Sequence, residues 1–214
     1  MYKLLKALFF VAVILGAIAA AARLTVLRWW RVPDDDPYLA ASITPTLRGG
    51  DWVLLWRATK PDFGALVVCP DPEDPSRIVI GRVVGEEGDK VSIDGDRLQV
   101  NDAVVQTETA CAEPKFKVED PNVGSEVEQF CDIEAMGGVA HMRGALSGIQ
   151  QVRVASSRTV GEGKFFLVSD NRLFPYDSRM YGTVDKVTCK ESIFFRIVGK
   201  GGYFDEKARF TYIR

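Results

Sequence analysis

Three clusters in this chain of 214 residues hold side chains that can do chemistry. The first is Ser42-Ile43-Thr44-Pro45-Thr46-Leu47, followed by Gly50-Asp51 and an apolar run. A serine just before a proline-fixed turn at the start of a sheet presents its hydroxyl rigidly, as an acyl-transfer nucleophile requires. The bland alternative is ordinary turn chemistry. The second cluster is Ile80-Gly81-Arg82-Val83-Val84-Gly85-Glu86-Glu87-Gly88-Asp89, an apolar run that enters a Gly-Asp turn. Its glycine spacing is wrong for a dinucleotide fingerprint, and no helix pattern follows it. The third is Ser169-Asp170-Asn171-Arg172, then Asp177-Ser178-Arg179 and Gly182. Acids alternating with arginines either form a solvated turn or lock a loop through bidentate ion pairs. No metal or other cofactor is expected, because the cysteines form no Cys-x-x-Cys pair and His141 is the sole imidazole.

The elements that must hold these clusters read as short strands. Trp52 to Trp56, Ala65 to Cys69, Ile78 to Val84, Lys90 to Ile93, Leu98 to Val100, Lys164 to Val168 and Glu191 to Val198 are short and rich in β-branched residues. Asp94-Gly95 suits a tight hairpin turn that needs a positive φ. Asp34-Asp35-Asp36-Pro37 reads as a polar linker that ends any preceding helix, with strand-like sequence after it. Residues 106–160, with Cys111, Pro114, Pro121 and glycine-rich patches, look less regular, as an insertion carrying its own hairpins. The expected fold is mainly β, an antiparallel body coiled into a barrel or sandwich, with an inserted lobe.

Ahead of that body, Ala7 to Ala22 run without a charge, and Leu24 to Leu27 extend the stretch past Arg23. About twenty such residues in a helix span a hydrocarbon layer of roughly 30 Å. A membrane anchor and a cleavable signal peptide both fit, the latter because Lys3 and Lys6 precede the run and Ala17-Ile18-Ala19 resembles a cleavage site. Basic residues flank both ends, so orientation stays open. Four cysteines permit two disulfides, in keeping with an exported body, and leave three pairings open among Cys69, Cys111, Cys131 and Cys189. The basic residues of the N-terminal stretch leave the remainder acidic, which argues against nucleic acid as a partner.

Taken in order and spacing, the three clusters resemble type I signal peptidases: Ser-x-x-Pro-Thr-Leu-x-x-Gly-Asp at 42–51, Arg-Val-Val-Gly-x-x-Gly-Asp at 82–89, and Asp-Asn-Arg-x4-Asp-Ser-Arg-x2-Gly at 170–182. Pro72 to Pro75, and Gly137-Gly138 with His141, are smaller echoes. The resemblance implies a signal-peptidase-like coiled antiparallel β-sheet body with an inserted second lobe and one N-terminal transmembrane helix. It divides the chain into a cytoplasmic tail (1–6), an anchor (7–27), a catalytic-type core (32–105 and 161–214) and the lobe (106–160). It further implies a single-pass protein of the inner membrane with an extracytoplasmic body, in contact with lipid. Such a protein cleaves the signal peptides of exported precursors after small residues, with a serine nucleophile and a lysine base.

On that resemblance Ser42 holds the nucleophile position, but the lysine position, just before Arg82, is Gly81. An unassisted serine hydroxyl is a poor nucleophile near neutral pH. Ala40 stands where the family often has a serine that supports the oxyanion, and Pro175 replaces a serine that commonly contacts the lysine. Asp177 and Arg179 remain, expected to brace the loop near Ser42. Among substitute bases, His141 reads as structural, in a lobe the family places away from the cleft. Lys90 lies beyond the turn, and Lys60 and Lys164 have no motif support. Two functions follow: a peptidase with a substitute base, or a pseudoenzyme that binds precursors or partner proteins through a retained cleft. A penicillin-binding acyltransferase, suggested by Ser169-Asp170-Asn171, fails because Pro45 stands where that motif needs lysine.

Overall fold

The charge-free run folds as helix α1 (Tyr2–Thr25), which is followed at once by strand β1 (Leu27–Arg31). Leu27 therefore belongs to the sheet and not to the anticipated anchor, because its backbone pairs with Trp56. A stretch of α1, Leu4–Ala21, is long and apolar enough to cross a membrane, and none of it is buried. These positions come from a computed structural model that describes residues 2–145 and 156–213. Residues 146–155 of the anticipated lobe lie outside the described residues.

After β1, the aspartate run ends no helix but starts one, α2 (Pro37–Ser42). Asp36 is its N-cap, its Oδ1 accepting from Tyr38 N at 2.9 Å and Leu39 N at 3.1 Å, and Pro37 opens the first turn where its missing N–H costs nothing. Three aspartates before a proline equally describe a spacer, so the cap has no signature of its own in the sequence. Pro45 disfavours helix at the residue before it, and the helix stops at Ser42.

The chain then runs through β2 (Trp52–Trp56), β3 (Leu66–Pro70), β4 (Ile78–Gly85), β5 (Lys90–Asp94), β6 (Arg97–Val100) and β7 (Ala103–Val104). Next come β8 (Gln106–Glu119), β9 (Glu126–Met136), β10 (Val139–Ala145), β11 (Ser156–Thr159) and β12 (Lys164–Val168). The short helix α3 (Ser178–Tyr181) precedes β13 (Val184–Asp185), β14 (Glu191–Val198) and β15 (Thr211–Tyr212). The principal sheet has the order β1-β2-β14-β3-β4-β12-β13, with β15 also on β14. Its pairings are antiparallel, so the expected mainly β, antiparallel body is present. The β5–β6 turn falls one residue later than the sequence suggested. Asp94 still pairs with Arg97, and Gly95 (φ +63°) begins the two-residue connection.

The region 106–145 is more regular than expected: β8 and β9 are the longest strands, in a sheet of order β10-β9-β8. Pro114 is tolerated where the β8–β9 register breaks between Ala110 and Lys115. Cys111–Cys131 bridges these two strands, and so links a hairpin rather than enclosing a loop. Cys69–Cys189 joins the end of β3 to the segment before β14.

Three apolar clusters draw on β4, Val84 near its end packing with Val91, Phe166 and Val168. Leu39 and Ile43 of the α2 region pack with Leu47, Val53, Leu55, Leu66 and Ile80 on one side. On the other, Val79 and Val83 pack with Val67, Phe165, Leu167 and Tyr181. The alternation of β4 thus aims Gly81 at the second cluster.

Candidate functional site

Ser42, the last residue of α2, has 0% relative exposure. Its Oγ donates to Leu39 O at 2.9 Å, one turn back along its own helix, and its backbone O accepts from Asn171 N at 2.9 Å. Among the described residues, no lysine or histidine nitrogen is hydrogen-bonded to that hydroxyl. Thr44 Oγ1 likewise folds back, onto Ala40 O at 2.9 Å.

Gly81 lies in β4, opposite Val67 of β3. A Cβ placed on it would come 3.1 Å from Leu167 Cβ and 3.3 Å from Val168 O, closer than side chains usually pack. The β12 strand lies close against the bare backbone, so a side chain at 81 needs its neighbours to shift by a few tenths of an ångström. Segment 168–171 touches both positions, since Val168 O faces Gly81 and Asn171 N holds Ser42 O. The first and second clusters therefore meet at the third.

The third cluster is a braced loop. Asp177 caps α3, binds Arg179 through Nη2 at 2.8 Å, and accepts from Ser169 N at 2.8 Å. Asn171 Oδ1 holds Leu173 N and Phe174 N in a side-chain-closed turn. Arg82 reaches across from β4 to the same loop, its Nε 2.7 Å from Asp170 Oδ1 and its Nη1 3.0 Å from Gly64 O. Both side chains of that pair are 1% exposed.

The family model described as signal peptidase, peptidase S26, matches residues 3–198. The chain belongs to that family. It is 28% identical over 173 residues to Signal peptidase I U of Bacillus subtilis strain 168, covering 77% of each chain. It is 24% identical over 158 residues to Signal peptidase I of Streptococcus pneumoniae strain R6, covering 66% of this chain and 71% of that one. Signal peptidase I V of Bacillus subtilis matches at 28% over 108 residues, 50% of this chain and 51% of that one.

Within this signal peptidase family fold, the other anticipated bases are occupied or distant. Lys90 pairs with Asp102 and Lys164 with Asp185, both at the surface, and Lys60 is exposed. Ala40 offers only its main chain, and Pro175 sits in the loop next to Tyr176, whose hydroxyl binds Asp71. His141 is buried, its Nε2 3.2 Å from Glu134 Oε2 and 3.8 Å from Asp170 Oδ1. Its strand is not remote from the third cluster: Gly144 N donates to Asp170 O, and Arg172 N to Gly144 O, both by backbone bonds.

A buried network results, which sequence spacing alone does not reveal: Arg82–Asp170, His141 between Asp170 and Glu134, and Glu134 on Arg172 with Arg143 3.8 Å away. Burial alone would raise the Glu134 pKa, but Arg172, then His141 and Arg143, hold it at about 2 against an ordinary 4.5. Burial, helped by the Arg82 charge, pushes His141 below its ordinary 6.5, despite the opposing pull of Glu134 and Asp170. Both shifts mean that the unfolded chain takes up protons first on acidification. Stability should therefore be full above pH 6.5, decline below it through His141, and decline further from 4.5 towards 2 through Glu134. The Glu134 part amounts to about 3 kcal/mol. Denaturant titrations across pH check this: His141→Gln should flatten the upper part of the decline, and an unchanged profile would remove His141 from it.

Proposed function

We propose that this signal peptidase family chain is anchored in the inner membrane by α1, with its body outside the cytoplasm, and that it captures exported precursors without cutting them. The division into core (32–105 and 161–214) and lobe (106–160) belongs to the same reading. The observation that carries it is the Ser42 hydroxyl, closed onto Leu39 O, with Gly81 packed close to β12 where the resemblance calls for a lysine. A hydroxyl that donates to a carbonyl and meets no base gains no nucleophilic strength.

A binding cleft is nevertheless available. A groove of about 870 Å³ runs beside α2, lined on its apolar side by Trp30, Leu39, Val68 and Ile78. Its rim carries the ion pairs Arg28–Glu191 and Arg77–Asp36. Small apolar side chains of an extended precursor suit such a lining.

The cleaving alternative draws on the names of the relatives, and requires a base to be delivered to Ser42 together with a turn of its hydroxyl. Capture is tested by titrating a fluorescent signal peptide ending in Ala-x-Ala into the detergent-solubilised chain. Ile78→Arg is expected to weaken binding at least about tenfold, the scale of burying a charge in an apolar groove. Ser42→Ala should bind like the parent. Equal binding by Ile78→Arg would place capture elsewhere.

A further inference from the structure

Beyond the register break at 111–114, strands β8 and β9 continue as an arm, residues 115–130, that leans back over α2. At its tip, Tyr38 Oη of α2 donates to Asn122 Oδ1 at 3.2 Å. Along its inner side Val118 is buried, and Lys117, Val118 and Glu119 line one groove with Ala40, Ala41 and Thr44. Nearer the base, Gln129 is fully buried, yet neither of its amide atoms has a hydrogen-bond partner. It lies against Gly144, where an added Cβ would meet Gln129 Oε1 at 3.2 Å and Pro45 Cδ at 3.3 Å. The arm thus lies over the Ala40–Pro45 turn, and its groove adjoins the capture groove at Asp35 and Pro37.

This seam is built unlike a permanent core. At the tip one neutral hydrogen bond and Val118 hold the arm down, with Phe116 against Gly144 nearer the base, while neither atom of the buried Gln129 amide is paired. Leaving a buried amide unpaired costs more than one net hydrogen bond returns, so the closed seam holds an unrepaid penalty that opening relieves. The arm itself is an unbroken ladder from Lys115↔Phe130 to Glu119↔Glu126, with exposed Lys115–Glu128 and Lys117–Glu126 pairs along it. Cys111–Cys131 pins the base at the register break. An unbroken arm, a pinned break and an under-satisfied seam make a hinged cover.

We propose that residues 115–130 are a lid over the Ser42 turn, hinged at 111–114 and latched by Tyr38–Asn122. Opening hydrates the Gln129 amide and bares the Ala40–Ala41–Thr44 face. The proposal rests on the reading that Ser42 holds the family's nucleophile position, but its test needs no cutting of precursor.

In the full chain, native disulfides intact, the Ser42→Cys thiol is alkylated with iodoacetamide and its rate compared across lid variants. Asn122→Ala should raise the rate roughly fivefold, as expected for loss of one hydrogen bond. Gln129→Met, which removes the orphan amide, should lower it by a similar factor. A second reporter, Ser178→Cys in α3, opens only with the core and should not respond to either. Ala41→Cys, on the covered face, repeats the measurement should Ser42→Cys fail to fold. Rates unaltered by both lid variants, or moving in parallel with the Ser178→Cys reporter, would overturn the lid; cleavage by the parent chain would overturn the capture reading and leave these rates as they are.

Discussion

Asp170→Asn should lower the unfolding free energy of the body by about 3–5 kcal/mol, the usual cost of removing one partner from a buried ion pair. Arg82 would be left charged and 1% exposed, facing a neutral amide and Gly64 O in place of a carboxylate. His141, 3.8 Å from Asp170, would lose one of the two carboxylates that favour its protonation. Asp170 also carries main-chain contacts, to Gly144 N, that the substitution does not touch, so the loss reports the side chain alone. Urea unfolding followed by circular dichroism measures it. The double variant Arg82→Met with Asp170→Leu should recover a good part of the loss, because matched apolar groups remove both charges together. A loss below about 1 kcal/mol would mean that water reaches the pair, and that the network does not hold β4, β10 and the 169–172 loop together.

The second large effect concerns Gly81→Lys. On sequence grounds alone this change restores a missing base. In the folded chain the new Cβ meets Leu167 Cβ at 3.1 Å and Val168 O at 3.3 Å, and Val168 is paired to Arg82 in the adjoining ladder. The β12 backbone must therefore give way, at about 1–3 kcal/mol for overpacking, and an amine must then enter the apolar cluster of Val79, Val83, Phe165 and Leu167. A total loss of roughly 3 kcal/mol or more is expected, with no cleavage gained. Gly81→Ala isolates the steric part: in an ordinary strand it would stabilise by up to about 1 kcal/mol, and here it should destabilise. Gly81→Lys that folds as well as the parent and cuts precursor would show that the space is still open.

Much of this was legible in the chain itself. β2, β12 and β14 begin and end where their apolar runs do, because short β-branched runs between turn residues leave few alternatives. Helix α2 was not legible: a lone turn capped by Asp36 has no periodicity to read, and three aspartates before proline also describe a linker. The length of β8 and β9 was hidden by Pro114 and Pro121, which sit at a register break and within the hairpin connection. At the site, the order of the clusters announced that Ser42, Arg82 and Asp177 share one neighbourhood. It could not announce that Ser42 spends its hydroxyl on Leu39 O, or that His141 joins Glu134 to Asp170, since both depend on contacts between distant segments.

The most direct measurement is a single-turnover incubation, with the solubilised chain in excess over a precursor ending its signal peptide in Ala-x-Ala, read by intact mass. Capture without cutting predicts precursor bound and full-length after many hours, at the same mass as with Ser42→Ala. A mature fragment that begins just after the alanine, and is lost in Ser42→Ala, would contradict it.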